Sequence, residues 1–416
     1  MGGATVNSAN DAQLTASATA QTPDGRWYRR TVLPSKFWHV SAGKSGRDYS
    51  DIFLEHDVMF IGPGDGGPYP TNAYESIGSL RRFHDKVNPG DIVLMRRGAD
   101  VIAIGVTHAA GYQHLSAFDD IYGWQLQHTR RVVWQVLAKP LPLFASRPRM
   151  SRFGRVKNPT PELVELAREC KERELLPLPD APSAILSPRD LLPELTAAGL
   201  TNAAEVCKVL EDHQKLLWWY HQKAETRPNE HEVVAYLVVP LLRALGWSET
   251  QLAIEWTVGK KAVKSLRSDN RLGRADLAAF DAPSRAPERC VMLCEAKALS
   301  SGLGDTLPQP VHYANKLPNC RRILTTQGSR FGIYLRRPDG SWPTRPDHYL
   351  NVARLRTQHA FPRGTNAVAA LLALTPAAVG AAFAGGNADA RPGDEPGEAP
   401  SPVESGGPQR SPRTGA

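Results

Sequence analysis

Two carboxylates and a lysine stand where neighbouring strands would bring them together. Asp276 lies in Gly273-Arg274-Ala275-Asp276-Leu277-Ala278-Ala279-Phe280, and Glu295 and Lys297 close the apolar run Val291-Met292-Leu293-Cys294-Glu295-Ala296-Lys297. Both segments have the pattern of strands with charge at one end. Side chains alternate along a strand, so Lys297 shares a face with Glu295, and Asp276 beside Glu295 makes a hard-oxygen site suited to Mg²⁺. That set suits hydrolysis of a phosphodiester. In-line attack of water loads charge onto the nonbridging oxygens and the leaving 3′ oxygen, which calls for a metal clamp and a cation near the nucleophile. Asp276, Glu295 and the Ala296 carbonyl would hold the metal, and Lys297 would orient or deprotonate the water. The plainer alternative makes Glu295 and Lys297 a surface pair and Asp276 a partner of Arg274. The apolar run before Glu295 argues against such a solvated edge.

The spacing resembles the PD-(D/E)XK nuclease superfamily, and the string from Glu230 to Tyr334 is similar to the N-terminal nuclease domain of type I restriction-enzyme motor subunits. The likeness rests on five elements in order over about a hundred residues: a leading helix from Asn229-Glu230-His231-Glu232 to Leu245-Gly246-Trp247, the Asp276 strand, the Glu295-Ala296-Lys297 strand, Gln309-Pro310-Val311-His312-Tyr313, and Ile323-Leu324-Thr325-Thr326-Gln327-Gly328. The resemblance implies a Mg²⁺ (or Mn²⁺) cofactor, with Glu230 as a further ligand or holder of a metal-bound water. Glu232 competes for that role. Glu230 is preferred because it precedes Val233, Leu237 and Leu241 at helical spacing and lies ten residues before Pro240, as in the family. Gln309 and Tyr313 would contact DNA phosphate or support the metal carboxylates; taken alone they are an ordinary i,i+4 pair on a helix.

A chain of 416 residues has room for two or three domains. A formal charge of +8 with pI near 9.2 suits a polyanionic partner. Lys260, Lys261, Lys264, Arg267, Arg271 and Arg274 precede the catalytic Asp, and Arg147, Arg149, Arg152, Arg155 and Lys157 form a second run. Such runs are commonly solvated loops; beside a nuclease motif, DNA contact is equally expected. The five cysteines show no disulfide or zinc spacing; Cys290 and Cys294 should share a strand face as buried packing. No leader-like segment or membrane-length apolar run is evident, so a cytoplasmic protein is expected. No Walker motif appears, Gly62-Pro63-Gly64-Asp65-Gly66-Gly67 lacking the lysine, so cleavage should not depend on ATP.

Composition divides the chain into a disordered arm (1–25), a globular segment rich in aromatics and glycines (26–145), a basic linker and helical connector (146–226), the nuclease-like segment (227–362), an Ala-rich helix (363–384) and a disordered tail (385–416). In the first globular segment, strands are expected at Phe37-Trp38-His39-Val40-Ser41, Gly90 to Arg97, Val101 to Val106 and Arg130 to Gln135, which argues for a small β-barrel. Their order, with Trp-x-x-Ser-x-Gly and Gly-Asp-Ile-Val, looks like the EVE and PUA-like superfamily, whose members bind RNA or modified DNA bases. The fold class implied is multidomain α+β and α/β: a PUA/EVE-like barrel, a helical connector and a restriction-endonuclease-like α/β domain.

A pocket for a flipped base must stack it on aromatic faces and read its edge with a few polar groups. Trp38, before the Ser-Ala-Gly turn, is the first candidate. Tyr49, Trp124, Tyr69, Tyr74 and Tyr112 are further aromatics, Ser41, Asp48 and Asp65 are possible edge readers, and Trp134 is assigned to the core. The two resemblances together imply modification-dependent, type IV-like restriction: a reader of modified cytosine in phage or foreign DNA joined to a nuclease. Cutting both strands with one site per chain would favour a homodimer. The rival readings are an RNA-directed nuclease and a non-cleaving nucleic-acid-binding module.

Overall fold

The protein is a mixed α+β structure built on two six-stranded sheets, one of them curled into a half-barrel. A computed structural model describes residues 19–21, 27–29, 36–44, 47–64, 66–143, 151–170, 173–258, 273–299, 303 and 306–380. Both sheets belong to one compact unit, Met1–Ala382; the second unit, Phe383–Ala416, lies outside the described residues. Most of the arm and all of the tail expected to be disordered also lie outside them, although β1 (Thr19–Gln21) and β2 (Trp27–Arg29) pair as a short hairpin.

The first sheet has the order β10-β3-β7-β8-β9-β6. β3 (Phe37–Ser41) runs parallel to β7 (Ile92–Arg97), and the other pairings, with β6 (Val58–Ile61), β8 (Asp100–His114), β9 (His128–Pro142) and β10 (Phe153–Val156), are antiparallel. β4 (Gly43–Lys44) and β5 (Arg47–Asp48) form a small hairpin after β3. The curl comes from β8 and β9, fifteen residues each, whose register breaks at Val101/Ala103 and Thr107/Tyr112. Such irregularities bend a strand and raise its twist. Helices α1 (Ser50–His56) and α2 (Gly78–Asp85) cover the concave side with an aromatic-rich core. Trp134 belongs to this core, its indole N–H donating to the Val58 carbonyl at 2.9 Å. β10 extends this sheet past residue 145, into the stretch expected to be linker.

Helices α3 (Pro161–Arg168), α4 (Leu192–Ala197) and α5 (Ala203–Gln222) lead to the second half. There α6 (Glu230–Val233), a π turn at Val234–Val238 and α7 (Val239–Ala244) make one continuous helical segment. Pro240 has no N–H to give to the preceding turn, and the π turn just ahead of it absorbs the mismatch. The second sheet runs β11 (Leu252–Thr257), β12 (Arg274–Phe280), β13 (Cys290–Ala296), β14 (Arg322–Thr326), β15 (Arg330–Leu335) and β16 (His348–Asn351), with β13 and β14 parallel. Every residue of β13 is buried, as a central strand covered on both faces requires. The helical segment and α9 (Ala367–Ala373) cover one face, and α8 (Pro308–Ala314), the crossover from β13 to β14, covers the other.

One expectation fails in β13. Its pairing with β12 slips between Ala279 and Phe280, so Cys290 joins the core under α8 whereas Cys294 joins the core on the opposite face. Both cysteines are buried, but they do not share a face. No helix among the described residues is long and apolar enough to cross a membrane.

Candidate functional site

At the ends of β12 and β13 the sheet brings Asp276, Glu295 and Lys297 together. Asp276 Oδ2 accepts from the Ala296 backbone N–H at 2.7 Å, which ties the Asp strand to the Glu-x-Lys strand. Glu295 is 2% exposed; its Oε1 accepts from Lys297 Nζ at 2.8 Å and its Oε2 from Gln309 Nε2 at 3.0 Å. Lys297 also lies 3.5 Å from Glu230 Oε1, so carboxylates from α6 and β13 flank one ammonium group, and α8 supplies Gln309 to the second oxygen of Glu295.

A capping box distinguishes the settings of Glu230 and Glu232. Asn229 Oδ1 accepts from the Glu232 N–H at 3.0 Å, and Glu232 Oε2 accepts from the Asn229 N–H at 2.9 Å. That reciprocal pair occupies Glu232 at the helix end and leaves Glu230 to face Lys297. Tyr313 is buried on α8 beside Gly273, where a Cβ would come within 3.3 Å of its ring.

The electrostatics show an excess of negative charge. Burial raises Glu295 to about 7, and Asp276 and Glu230 push the same way against the hydrogen bond from Lys297. Asp276 is raised by burial, with the Ala296 N–H opposing. Burial would lower Lys297, but Glu295, Glu230 and Asp276 outweigh it and hold the ammonium above its ordinary range. Three carboxylates against one ammonium favour any added cation. Among the described residues no three His, Cys, Asp or Glu side chains are close enough to enclose a metal by themselves. Glu230 therefore reaches the site through Lys297 rather than completing a protein cage. Two carboxylates are a protein share that suits Mg²⁺, which keeps several waters and seldom takes an all-protein shell.

A pH-dependent test follows from Glu295. Its proton-binding form is favoured by the fold, so in the metal-free protein this stabilisation is complete at low pH and is lost as pH rises through about 7. Metal competes with that proton, so Mn²⁺ affinity should fall up to about tenfold per pH unit below the pKa. Calorimetric titration at pH 6 and 8 should show this in the wild type. Glu295→Gln should remove the pH dependence, and both it and Asp276→Asn should weaken binding at least tenfold. Wild-type affinity in both variants would make these carboxylates purely structural.

The first sheet holds a cavity of about 310 Å³ lined by Ser41, Tyr49 and Trp124, with Phe60, Arg96 and Arg152. Trp38 does not belong to it. Its side chain points into the core, stacks on Phe153 at 5.3 Å and donates its indole N–H to Asp91 at 2.8 Å. Tyr74 is buried in the same core, and the Tyr112 hydroxyl bonds His128 Nδ1 at 2.7 Å and accepts from the Tyr69 N–H at 3.0 Å; none of the three tyrosines lines the cavity. Asp48 stands outside it, bonded to Ser50 and paired with Arg97; Asp65 lies outside the described residues.

Arg96 and Arg152 are additions that the sequence reading missed. Arg96 is buried and donates to His39 Nδ1 at 3.2 Å, to the Gly98 carbonyl at 2.6 Å and to the Ser151 carbonyl. A charged residue inside the apolar run Ile92–Arg97 was the available signal. Of the basic clusters, Arg274 pairs with Glu255 at 2.9 Å and Arg155 is exposed on β10, while Lys260, Lys261, Lys264, Arg267, Arg271, Arg147 and Arg149 lie outside the described residues.

Comparison with protein-family models and with curated proteins finds no match.

Proposed function

We propose that the chain is a metal-dependent DNA endonuclease of the PD-(D/E)XK type, directed to modified cytosine by its first sheet and serving restriction of phage or foreign DNA. The observation that carries this reading is the convergence of Asp276, Glu295, Lys297 and Glu230 at one end of adjacent strands, with net negative charge around a single lysine. A bound divalent ion would neutralise the charge that builds on the phosphate oxygens and lower the pKa of the attacking water. Asp276 and Glu295 would hold it. Gln309 fixes the Glu295 carboxylate through Oε2, and Lys297, kept protonated by its neighbours, orients the nucleophile and donates to the developing charge rather than acting as a base.

The cavity bearing Ser41, Tyr49 and Trp124 suits a flipped base: aromatic faces to stack on, a hydroxyl on the rim and cationic arginines nearby. Incubation of the full chain and Mg²⁺ with unmodified, 5-methylated and 5-hydroxymethylated duplexes, and with structured RNA, tests the whole reading. Cleavage confined to modified DNA supports it; cleavage of RNA alone replaces it with the RNA-directed reading. Within that assay, Trp124→Ala should remove roughly 1–3 kcal/mol of the preference for modified DNA, the usual worth of one stacked base. Its affinity for unmodified duplex should stay within about twofold, because phosphate contacts dominate nonspecific binding. An undiminished preference in Trp124→Ala would place the base elsewhere.

A further inference from the structure

On β11, Glu255 stands directly opposite Asp276. The pairs Ile254–Leu277 and Trp256–Ala275 flank the two residues in unbroken register, yet Glu255 itself leaves the ladder with φ of 54°. Outside glycine, positive φ occurs among the described residues at Asp57, Tyr122 and Glu255. Asp57 caps the end of α1, and Tyr122 lies in the turn between Ile121 and Trp124, so both have a local reason for it. Glu255 lies inside a strand. A conformation that side chains rarely adopt persists there only where contacts over-determine it.

Two contacts do this. Glu255 Oε1 lies 2.9 Å from His231 Nδ1, and Oε2 lies 2.9 Å from Arg274 Nη1. Each partner is a neighbour in sequence of a carboxylate in the candidate site: Arg274 stands two residues before Asp276 on β12, and His231 follows Glu230 on α6. Charge on His231 reaches Asp276 and favours its ionised form. Residues two apart on a strand share a face, so Arg274 without Glu255 would have Asp276 as its neighbouring acceptor. In an ordinary antiparallel pair the Cβ atoms of opposite residues are about 4.5–5.5 Å apart, and like charges there repel. The turn of the backbone at Glu255 aims its carboxylate at the two basic side chains instead.

We propose, resting on the metal-dependent reading above, that Glu255 is a positioning residue for the metal: it holds Arg274 and His231 away from Asp276 and its neighbouring carboxylates, which stay available to a divalent cation. A guanidinium on Asp276 would occupy the oxygens a metal needs, because its planar fork of N–H donors matches a carboxylate. The excess of negative charge around Lys297 therefore depends on a fourth carboxylate, which keeps two further basic side chains at the edge of the sheet.

Calorimetric titration of Mn²⁺ into the full chain tests this. Glu255→Gln keeps the size of the side chain and loses its charge; it should bind Mn²⁺ about tenfold more weakly, since an opposite charge beside a carboxylate competes with a second cation by that factor or more. Glu255→Gly gives the φ of 54° to the residue that adopts it most readily, so it guards against misfolding and should show the same loss. Arg274→Gln added to either variant removes the freed cation and should restore affinity to within about threefold of the wild type, the coupling expected of residues in contact. Wild-type affinity in either single variant overturns the proposal. A loss that Arg274→Gln leaves in place overturns it as well and makes Glu255 an anchor of the edge strand. Absence of Mn²⁺ binding by the wild type removes the metal site itself, and this role with it.

Discussion

On the proposed nuclease reading, Lys297→Ala is expected to bind duplex DNA as the wild type does and to lose the cutting. Lys297 Nζ sits 2.8 Å from Glu295 and 3.5 Å from Glu230, where the proposed mechanism would have it orient the reacting water. Groups acting on the proton or charge of the nucleophile contribute roughly 10²–10⁴-fold to rate, and a loss of that size is expected in single-turnover cleavage. Affinity should change less than about twofold, since it is spread over many phosphate contacts. Metal affinity separates this role from a collapse of the site. Removing an ammonium beside two carboxylates leaves metal binding unchanged or tighter, whereas a collapsed site would bind metal more weakly. Cutting at the wild-type rate by Lys297→Ala would take the reactive role away from this lysine.

The candidate active site was legible because its signal is local. Period-two alternation placed Glu295 and Lys297 on one face, and an uninterrupted apolar run marked β13 as a central strand. Register across strands supplied the rest: the bond from the Ala296 N–H to Asp276, twenty positions earlier, needs the chain between them to fold back. The different settings of Glu230 and Glu232 were also written in the sequence, since Asn229-x-x-Glu232 is a helix-start signature that commits Glu232 to its own backbone.

The lining of the first-sheet cavity was less legible, for a tertiary reason. Trp38 stands beside a Gly turn, which suggested an opening, yet its orientation is fixed by Asp91, 53 residues away, whose carboxylate accepts the indole N–H. Alternation says that neighbouring residues face opposite sides but not which side is hollow. Arg152 precedes β10, a four-residue strand within a basic run too short and too charged to stand out. The Cys290 expectation failed because one slipped residue between β12 and β13 reverses a face.

The largest stability effect is expected at Asp120, which joins the two sheets. Its Oδ1 accepts from the Tyr349 hydroxyl at 2.9 Å and its Oδ2 from Asn351 Nδ2 at 2.7 Å, both on β16, while Oδ1 also holds the Gly123 turn. Asp119 beside it takes Arg356 at 2.6 Å and Arg354 at 3.2 Å. Asp120→Ala strips a buried carboxylate from two buried donors, from the half-buried Gly123 N–H and from Arg330, 3.7 Å away, and breaking such a buried pair and its hydrogen bonds costs about 3–5 kcal/mol. Asp120→Asn keeps an acceptor for part of the set and should fall between. Because the same carboxylate fixes the turn carrying Tyr122 and Trp124, Asp120→Ala should also reduce discrimination between modified and unmodified DNA. Mn²⁺ affinity should remain unchanged, because the carboxylates proposed to hold the metal are on β12 and β13. Denaturant unfolding of Asp120→Ala within about 0.5 kcal/mol of the wild type would mean that apolar packing joins the sheets and that these polar contacts only decorate the junction.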